Sequence, residues 1–383
     1  MIMNYTENYW DDTANAAKQI PNLERLFGCS LLITGATGMI GSAVADLIFY
    51  LNQQKQANIH LLLAGRSREK MQRRFSHFQM DRDYEFIFFE ATDPAIMDLN
   101  ADYIIHTASN ASPAAYTKQP AETMLANLVG LNALLDLMCR SYTRRLLYVS
   151  SSEVYGTRMS QKVAGENPGN NRALEEKKTH GTEPGTSSMS ASLSSVPYRE
   201  DEYGYVDLLN PRACYPCAKR AAETLCISYD AEYKTDTVIV RPGHIYGPSI
   251  TASDTRASAQ FTRNAVLGQD IVMKSAGAQL RSYCYTLDCA SAILTVLLNG
   301  QRSTAYNISN PNSIVTIREL AEALAKAAGT KVICQEATAS EKKGYNLMDN
   351  SSLDSSLLES LGWRPCFSLE EGAAKTIEYL REA

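Results

Sequence analysis

The stretch "CSLLITGATGMIGSAVADLIFYLNQQ", Cys29 to Gln54, decides how this chain folds. It opens as a short apolar strand, passes through a glycine-rich turn and continues with apolar residues at helical spacing. Gly35, Gly38 and Gly41 fall in a G-x-x-G-x-x-G pattern at the turn. Glycine there lets the backbone approach a pyrophosphate, and the start of the following helix offers free N–H groups to it. The turn is therefore predicted to hold a dinucleotide, with Met39 and Ile40 alongside the three glycines.

Working outward, "IHLLLAG", "YEFIFFEAT", "ADYIIHTAS" and "RRLLYVSSS" read as further buried strands, and "PAETMLANLVGLNALLDLMCRS" as a helix between the last two. "ACYPCAKRAAETLCISYDAEY" is a long helix, followed by a strand and turn in "DTVIVRPGHIYGP". Strands alternating with helices predict an α/β fold with a doubly wound parallel sheet, covered on both faces. From about Thr251 the pattern becomes irregular, which marks a smaller C-terminal α/β domain.

The loop after the second strand bears on the dinucleotide. It reads "LLLAGRSREK", with Arg66 and Arg68 and no acid before Glu69. An acid there binds the ribose hydroxyls of NAD, whereas arginine suits the 2′-phosphate of NADP. Arg66 leans the loop toward NADP; stacking of Arg66 on the adenine would be compatible with NAD.

Tyr215 and Lys219 stand four residues apart in "YPCAK", on one helix face. A nearby ammonium is expected to favour the phenolate and lower the tyrosine pKa. Tyr215 is thus a candidate base for a sugar hydroxyl whose hydride leaves to a nicotinamide.

With these motifs the chain resembles the NAD-dependent epimerase/dehydratase family of extended short-chain dehydrogenases/reductases, from about Cys29 onward. The resemblance implies a Rossmann domain, a smaller substrate domain and a nucleoside-diphosphate sugar as substrate. Within the family the pattern is nearest to UDP-glucuronate decarboxylases, matched by "SSSEVYG" (Ser150 to Gly156), "NPRACY" (Asn210 to Tyr215) and "ASPAAY" (Ala111 to Tyr116). It implies Tyr215, Lys219, Ser151 and Glu153 as catalytic residues, with Glu153 facing the reacting sugar and disfavouring a bound carboxylate. It implies Arg281, Ser112, Tyr116, His244 and Arg256 at the substrate, and Glu90, Ala108 and Pro242 at the cofactor with the glycine turn, Arg66, Tyr215 and Lys219. No metal is implied. Arg281 is followed by Ser282, as in the decarboxylases, although a contact to the diphosphate alone is an equal reading. Gly243-His244 replaces the family's Phe-Asn, which leaves the sugar and nucleotide open. A 4,6-dehydratase, an epimerase and an NADPH-dependent reductase share the fold; a dinucleotide-sensing regulator would have no need of the Tyr215–Lys219 pair.

Three regions result: an N-terminal extension, 1–28, read as a tail plus a short helix ending near Phe27; the dinucleotide domain, 29–250; and 251–383, mainly substrate-binding, with segments returning to the first domain. Residues 157–196 are rich in Ser, Gly, Asn, Thr and charge, and read as a flexible insertion, either a lid or decoration. The formal net charge of -5 gives no basic surface for nucleic acid. No unbroken apolar run of membrane-spanning length and no secretory leader pattern occur, and nine cysteines lie scattered through apolar segments, so a cytoplasmic protein with reduced thiols is expected. Cys214 and Cys217 form a C-x-x-C pair without a second pair to complete a metal site. A homodimer through the two long apolar helices is expected; packing of both on their own sheet is the other reading.

Overall fold

The computed structural model describes residues 4–94, 99–109, 111, 113–158, 196–252, 254–335 and 348–381. Ser112 and nearly all of the insertion expected at 157–196 lie outside the described residues.

Seven parallel strands form the main sheet, in spatial order β3-β2-β1-β4-β5-β6-β10. They are β1 (Ser30–Thr34), β2 (His60–Gly65), β3 (Glu85–Phe88), β4 (Tyr103–His106), β5 (Arg145–Val149), β6 (Thr237–Pro242) and β10 (Ala305–Ile308). Successive side chains of a strand point to opposite faces, and β1 shows it: Leu31 and Ile33 join one core, Leu32 the other. Strands buried on both faces need near-continuous apolar sequence, which is why "SLLIT" and "HLLLAG" lack polar alternation. One face is covered by helix α2 (Met39–Lys55) and the helix Thr286–Asn299; the other by α5 (Pro120–Arg140) and the helix Cys214–Tyr233. Helix α5 passes the length and apolarity expected of a membrane span, but half of that stretch is buried in this fold.

Chain order reverses between β1 and β4, where ligands bind in doubly wound sheets, at the carboxyl ends of the strands. The residues after about Thr251 contribute β10 to the main sheet and the helix Thr286–Asn299 to one of its faces, and others of them build a smaller sheet. There β9 (Leu280–Tyr285) pairs antiparallel with β11 (Ile314–Thr316) and parallel with β7 (His244–Tyr246) and β13 (Asn350–Ser351). Gly243, between β6 and β7, carries the chain from one sheet to the other; a Cβ there would stand 2.7 Å from the Ser282 carbonyl oxygen.

The N-terminal extension is part of the core, which corrects the expectation of a tail and a helix reaching Phe27. Helix α1 spans Glu7–Ala17 and ends before Pro21, whose ring disfavours a helical Ile20. A separate short turn follows at Leu23–Leu26. Tyr9 and Leu26 are fully buried. Tyr5 and Tyr9 both donate their hydroxyls to Asp46 of α2, at 2.7 and 2.8 Å.

The two chain ends that flank the insertion meet. Thr157 bridges Tyr205, and Arg158 donates to the Val196 and Pro197 carbonyls at 2.5 and 3.2 Å and lies 4.0 Å above the Tyr198 ring. Tyr198 is buried and its N–H donates to the Ser352 carbonyl at 2.7 Å, tying this stem to the smaller sheet.

Candidate active site

The glycine turn forms the floor of a cleft of about 760 Å³ at the crossover between β1 and β4. Gly35 has φ +69°, and a Cβ on it would lie 2.7 Å from the Ala108 nitrogen. A Cβ on Gly41 would lie 2.6 Å from the Gly35 carbonyl oxygen. Both positions require glycine, the first for its backbone angle and the second for close helix packing. Gly35, Gly38, Arg66, Glu90 and Ala108 line the cleft. Met39 and Ile40 open α2 just behind it, and Pro242 closes β6 farther along the sheet edge, outside the lining.

A second cluster of candidate residues forms where β5 ends. Asn210 caps the short turn Pro211–Ala213, its side chain accepting from the Arg212 N–H at 3.0 Å, and the helix Cys214–Tyr233 starts directly after it. Tyr215 thereby comes near Ser151 and Tyr116, whose hydroxyls both act to lower its pKa. The Tyr116 and Tyr215 rings stack at 4.6 Å. Lys219, one turn on, donates to the Val149 carbonyl at 2.8 Å, with its ammonium 5.7 Å from the Tyr215 ring centroid.

The electrostatics run against the sequence expectation that Lys219 would lower the tyrosine pKa. Burial pushes Tyr215 up to about 12, with the Glu153 charge adding to it and the Ser151 hydrogen bond opposing. Burial also pushes Lys219 down to about 7, with Glu223 opposing. Both groups are enclosed, and enclosure disfavours the charged form of each more than the pair restores.

Glu153 needs a second correction. It does not stand in this cluster as a free carboxylate: Arg212 grips it with hydrogen bonds of 2.8 and 3.0 Å. The Arg212 guanidinium also lies 4.6 Å over the Tyr116 ring. The pair offsets most of the repulsion that Glu153 alone would exert on a carboxylate. Arg212 belongs to "NPRACY", and the family resemblance assigns it no role. Its place three residues before the base, on the turn that starts the helix, was the available signal.

Arg281 is 3% exposed, and among the described residues its side chain donates only to the carbonyls of Leu280 and Asp349, at 2.9 and 3.4 Å. It has no ion-pair partner among them, and burial lowers its pKa. Buried charges are ordinarily paired. His244 stands beside it, its ring 5.7 Å from Tyr283 and its Nδ1 buried without a partner. Burial first, then Arg281 and Arg256, push His244 down to about 3, so it is a neutral donor or acceptor at physiological pH. Arg256 is held by Asp254 at 2.5 Å, yet is close enough for its charge to act on Tyr215. Ser151, Glu153, Tyr116, Tyr215, Arg256, His244 and Arg281 are therefore linked in one cluster by ring stacking and by the action of their charges on one another. Cys214 is buried beside Tyr116 and Tyr215, and Cys217 is half-buried.

Residues 31–309 match the model of the NAD dependent epimerase/dehydratase family. UDP-glucuronic acid decarboxylase 1 of Xenopus tropicalis is 28% identical over 354 residues, covering 92% of this chain and 72% of its own length. UDP-glucuronic acid decarboxylase 6 of Arabidopsis thaliana is 27% identical, covering 89% of this chain and 86% of its own length. Among solved structures, UDP-glucuronic acid 4-epimerase from Bacillus cereus, in complex with UDP-glucuronic acid and NAD, superposes with a TM-score of 0.69 at 18% identity, covering 92% of this chain and 99% of that one. The dTDP-glucose 4,6-dehydratase DesIV from Streptomyces venezuelae, with NAD bound, gives 0.69 at 22% identity, covering 92% and 97%.

Proposed function

This chain belongs to the NAD-dependent epimerase/dehydratase family, and on that premise we propose that it is a nucleotide-sugar enzyme that oxidises its sugar at C4 and decarboxylates a UDP-hexuronic acid. The glycine cradle fits a nicotinamide dinucleotide: Gly35 and Gly38 line the cleft where a pyrophosphate would lie, Gly41 lets α2 pack close behind them, and Ala108 lines the cleft beside Gly35. A nicotinamide bound there supplies a reversible hydride acceptor for C4. In its phenolate form Tyr215 takes the proton of the C4 hydroxyl, with Ser151 next to it as a relay, and Lys219 anchors the helix face to the end of β5. With C4 at the ketone level, the bond from C5 to the carboxylate breaks, its electrons pass into the ketone as an enolate, and carbon dioxide leaves. A proton then returns to C5, and Tyr215 gives its proton back as C4 is restored to the alcohol.

The observation that carries the decarboxylase reading is Arg281. A buried guanidinium that, among the described residues, is held only by backbone carbonyls, in the cluster that holds the base, is matched to an anionic substrate group. The names of the two relatives agree with a hexuronic acid substrate. Glu153, tied to Arg212, is then an acceptor that orients ring hydroxyls.

The test is incubation with a panel of nucleotide sugars and mass spectrometry of the products. Loss of carbon dioxide from UDP-glucuronate supports the proposal. Loss of water means a dehydratase, an unchanged mass with a new chromatographic peak means an epimerase, and turnover that consumes added NADPH means a reductase. A dimer is part of the same reading: Leu125 and Ile227, on the two long helices, are exposed apolar side chains, and light scattering on Leu125→Glu and Ile227→Glu tests it.

A further inference from the structure

The glycine cleft has a basic wall that the proposed chemistry does not use. Arg66 follows the last residue of β2 directly, and Ser67, Lys70, Arg73 and Arg74 continue the lining from helix α3 (Arg68–Arg74) and its cap. One of these cations is already committed. Arg74 donates to Asp46 at 2.9 Å and also bonds the Tyr5 hydroxyl, and Asp46 is fully buried. The N-terminal extension thus holds Arg74 in place by way of Asp46. Lys70 and Arg73 have no side-chain hydrogen bond or ion pair among the described residues. Arg66 reaches only Glu90, at 3.8 Å, and is 62% exposed at its side chain.

The acids nearby do not replace the carboxylate that would bind a free ribose. Glu69 accepts from the Ser67 hydroxyl at 2.8 Å and is absent from the lining. Glu90 lies on β3's side of the cleft and accepts from the Thr92 hydroxyl at 3.1 Å. At the end of the second strand, where an acid would take the 2′-hydroxyl of adenosine, this chain has Gly65, Arg66 and Ser67. Three cations without a full counter-charge surround a position that a neutral hydroxyl would leave unbalanced.

We propose that Arg66, Ser67, Lys70 and Arg73 form a binding site for a phosphate ester on the adenosine ribose, so that the dinucleotide this chain takes is the 2′-phosphorylated one, NADP rather than NAD. The proposal rests on the reading of the cleft as a dinucleotide site, and it sets this chain apart from the Bacillus cereus and Streptomyces venezuelae structures, which hold NAD.

The test is calorimetric titration of the nucleotide-stripped full-length protein with NADP⁺ and NAD⁺, together with mass spectrometry of any dinucleotide released by heat from the protein as purified. The expected result is NADP⁺ binding tighter by about tenfold or more, a gap that narrows as salt rises, and NADP⁺ as the released species. Arg66→Ala and Lys70→Ala should each weaken NADP⁺ by roughly tenfold while changing NAD⁺ by no more than about twofold. Equal or tighter binding of NAD⁺ by the unaltered protein overturns the proposal and leaves the dinucleotide site standing. An equal loss of both dinucleotides in Arg66→Ala also overturns it, because that is the signature of stacking on adenine. Binding of neither dinucleotide overturns the cleft reading and the proposal together.

Discussion

Arg212 closes on Glu153 with two hydrogen bonds of 2.8 and 3.0 Å, so the acid at the end of the β5 segment is held as half of an ion pair. Both side chains are about three-quarters buried, at 26% and 22% exposure. Removing one partner leaves the other charge enclosed beside Tyr215. Arg212→Met should therefore destabilise the fold by roughly 1–3 kcal/mol. Adding Glu153→Gln to it should restore part of that loss. The Glu153 charge already raises the Tyr215 pKa, so in Arg212→Met the pH–rate profile should also move to higher pH. Urea melts and pH–rate curves on the two variants check this; equal stability of the single and double variants would show that the pair is not coupled.

Tyr215→Phe keeps the ring that stacks on Tyr116 and removes only the hydroxyl. Turnover should fall by about 10²–10⁴-fold, the usual share of a general base. Dinucleotide affinity, measured separately, should hardly change, because the glycine cleft lies on the neighbouring strands. Near-normal turnover would remove Tyr215 from the mechanism.

Lys219 is 2% exposed, and its folded-state pKa of about 7 lies below the ordinary 10.5. A depressed lysine pKa means that folding opposes protonation. The penalty is complete below the folded value, fades as pH rises toward the unfolded value and is gone above it. Lys219→Met should thus raise the thermal midpoint more near pH 6 than near pH 10, across the window those two values define. A constant difference over that range would show that Lys219 stays fully charged in the fold, balanced by Glu223.

What the sequence disclosed depended on how local the signal was. The glycine turn, the alternation of strands and helices and the Tyr215–Lys219 spacing are properties of a few neighbouring residues, and all of these elements stand where the pattern put them. The contacts that correct the reading join distant segments. Tyr5 and Tyr9 meet Asp46 about forty positions on. Arg212 meets Glu153 across 59 positions. Burial of Tyr215 and Lys219 is likewise a property of the assembled fold, and no spacing rule reports it. Helix α1 stops at Ala17, short of the Phe27 expected, and Pro21, which disfavours helical geometry at Ile20, is the local signal for that earlier end.

The glycine turn gives a graded test of the cleft. A Cβ on Gly41 would stand 2.6 Å from the Gly35 carbonyl oxygen and 2.9 Å from the Thr107 hydroxyl. Neither neighbour yields easily, since the first is backbone at a φ of +69° and the second donates to the Thr34 carbonyl at 2.7 Å. A Cβ on Gly38 would meet only the Gly35 carbonyl oxygen, at 3.2 Å, a contact that a small shift relieves. Gly41→Ala should therefore cost about 1–3 kcal/mol of stability through overpacking, and should weaken dinucleotide binding because α2 is pushed from β1 and β4. Gly38→Ala should cost less on both counts. Gly268→Ala is the control: a Cβ there meets nothing within 4 Å, its φ of +70° adds only local backbone strain, and it does not line the cleft. Its stability should fall by about 1 kcal/mol with dinucleotide affinity unchanged. Denaturant melts and calorimetric titration of the three variants read the series, and an order in which Gly38→Ala harms binding more than Gly41→Ala would mean that the turn, rather than the packing of α2 behind it, sets the shape of the cleft.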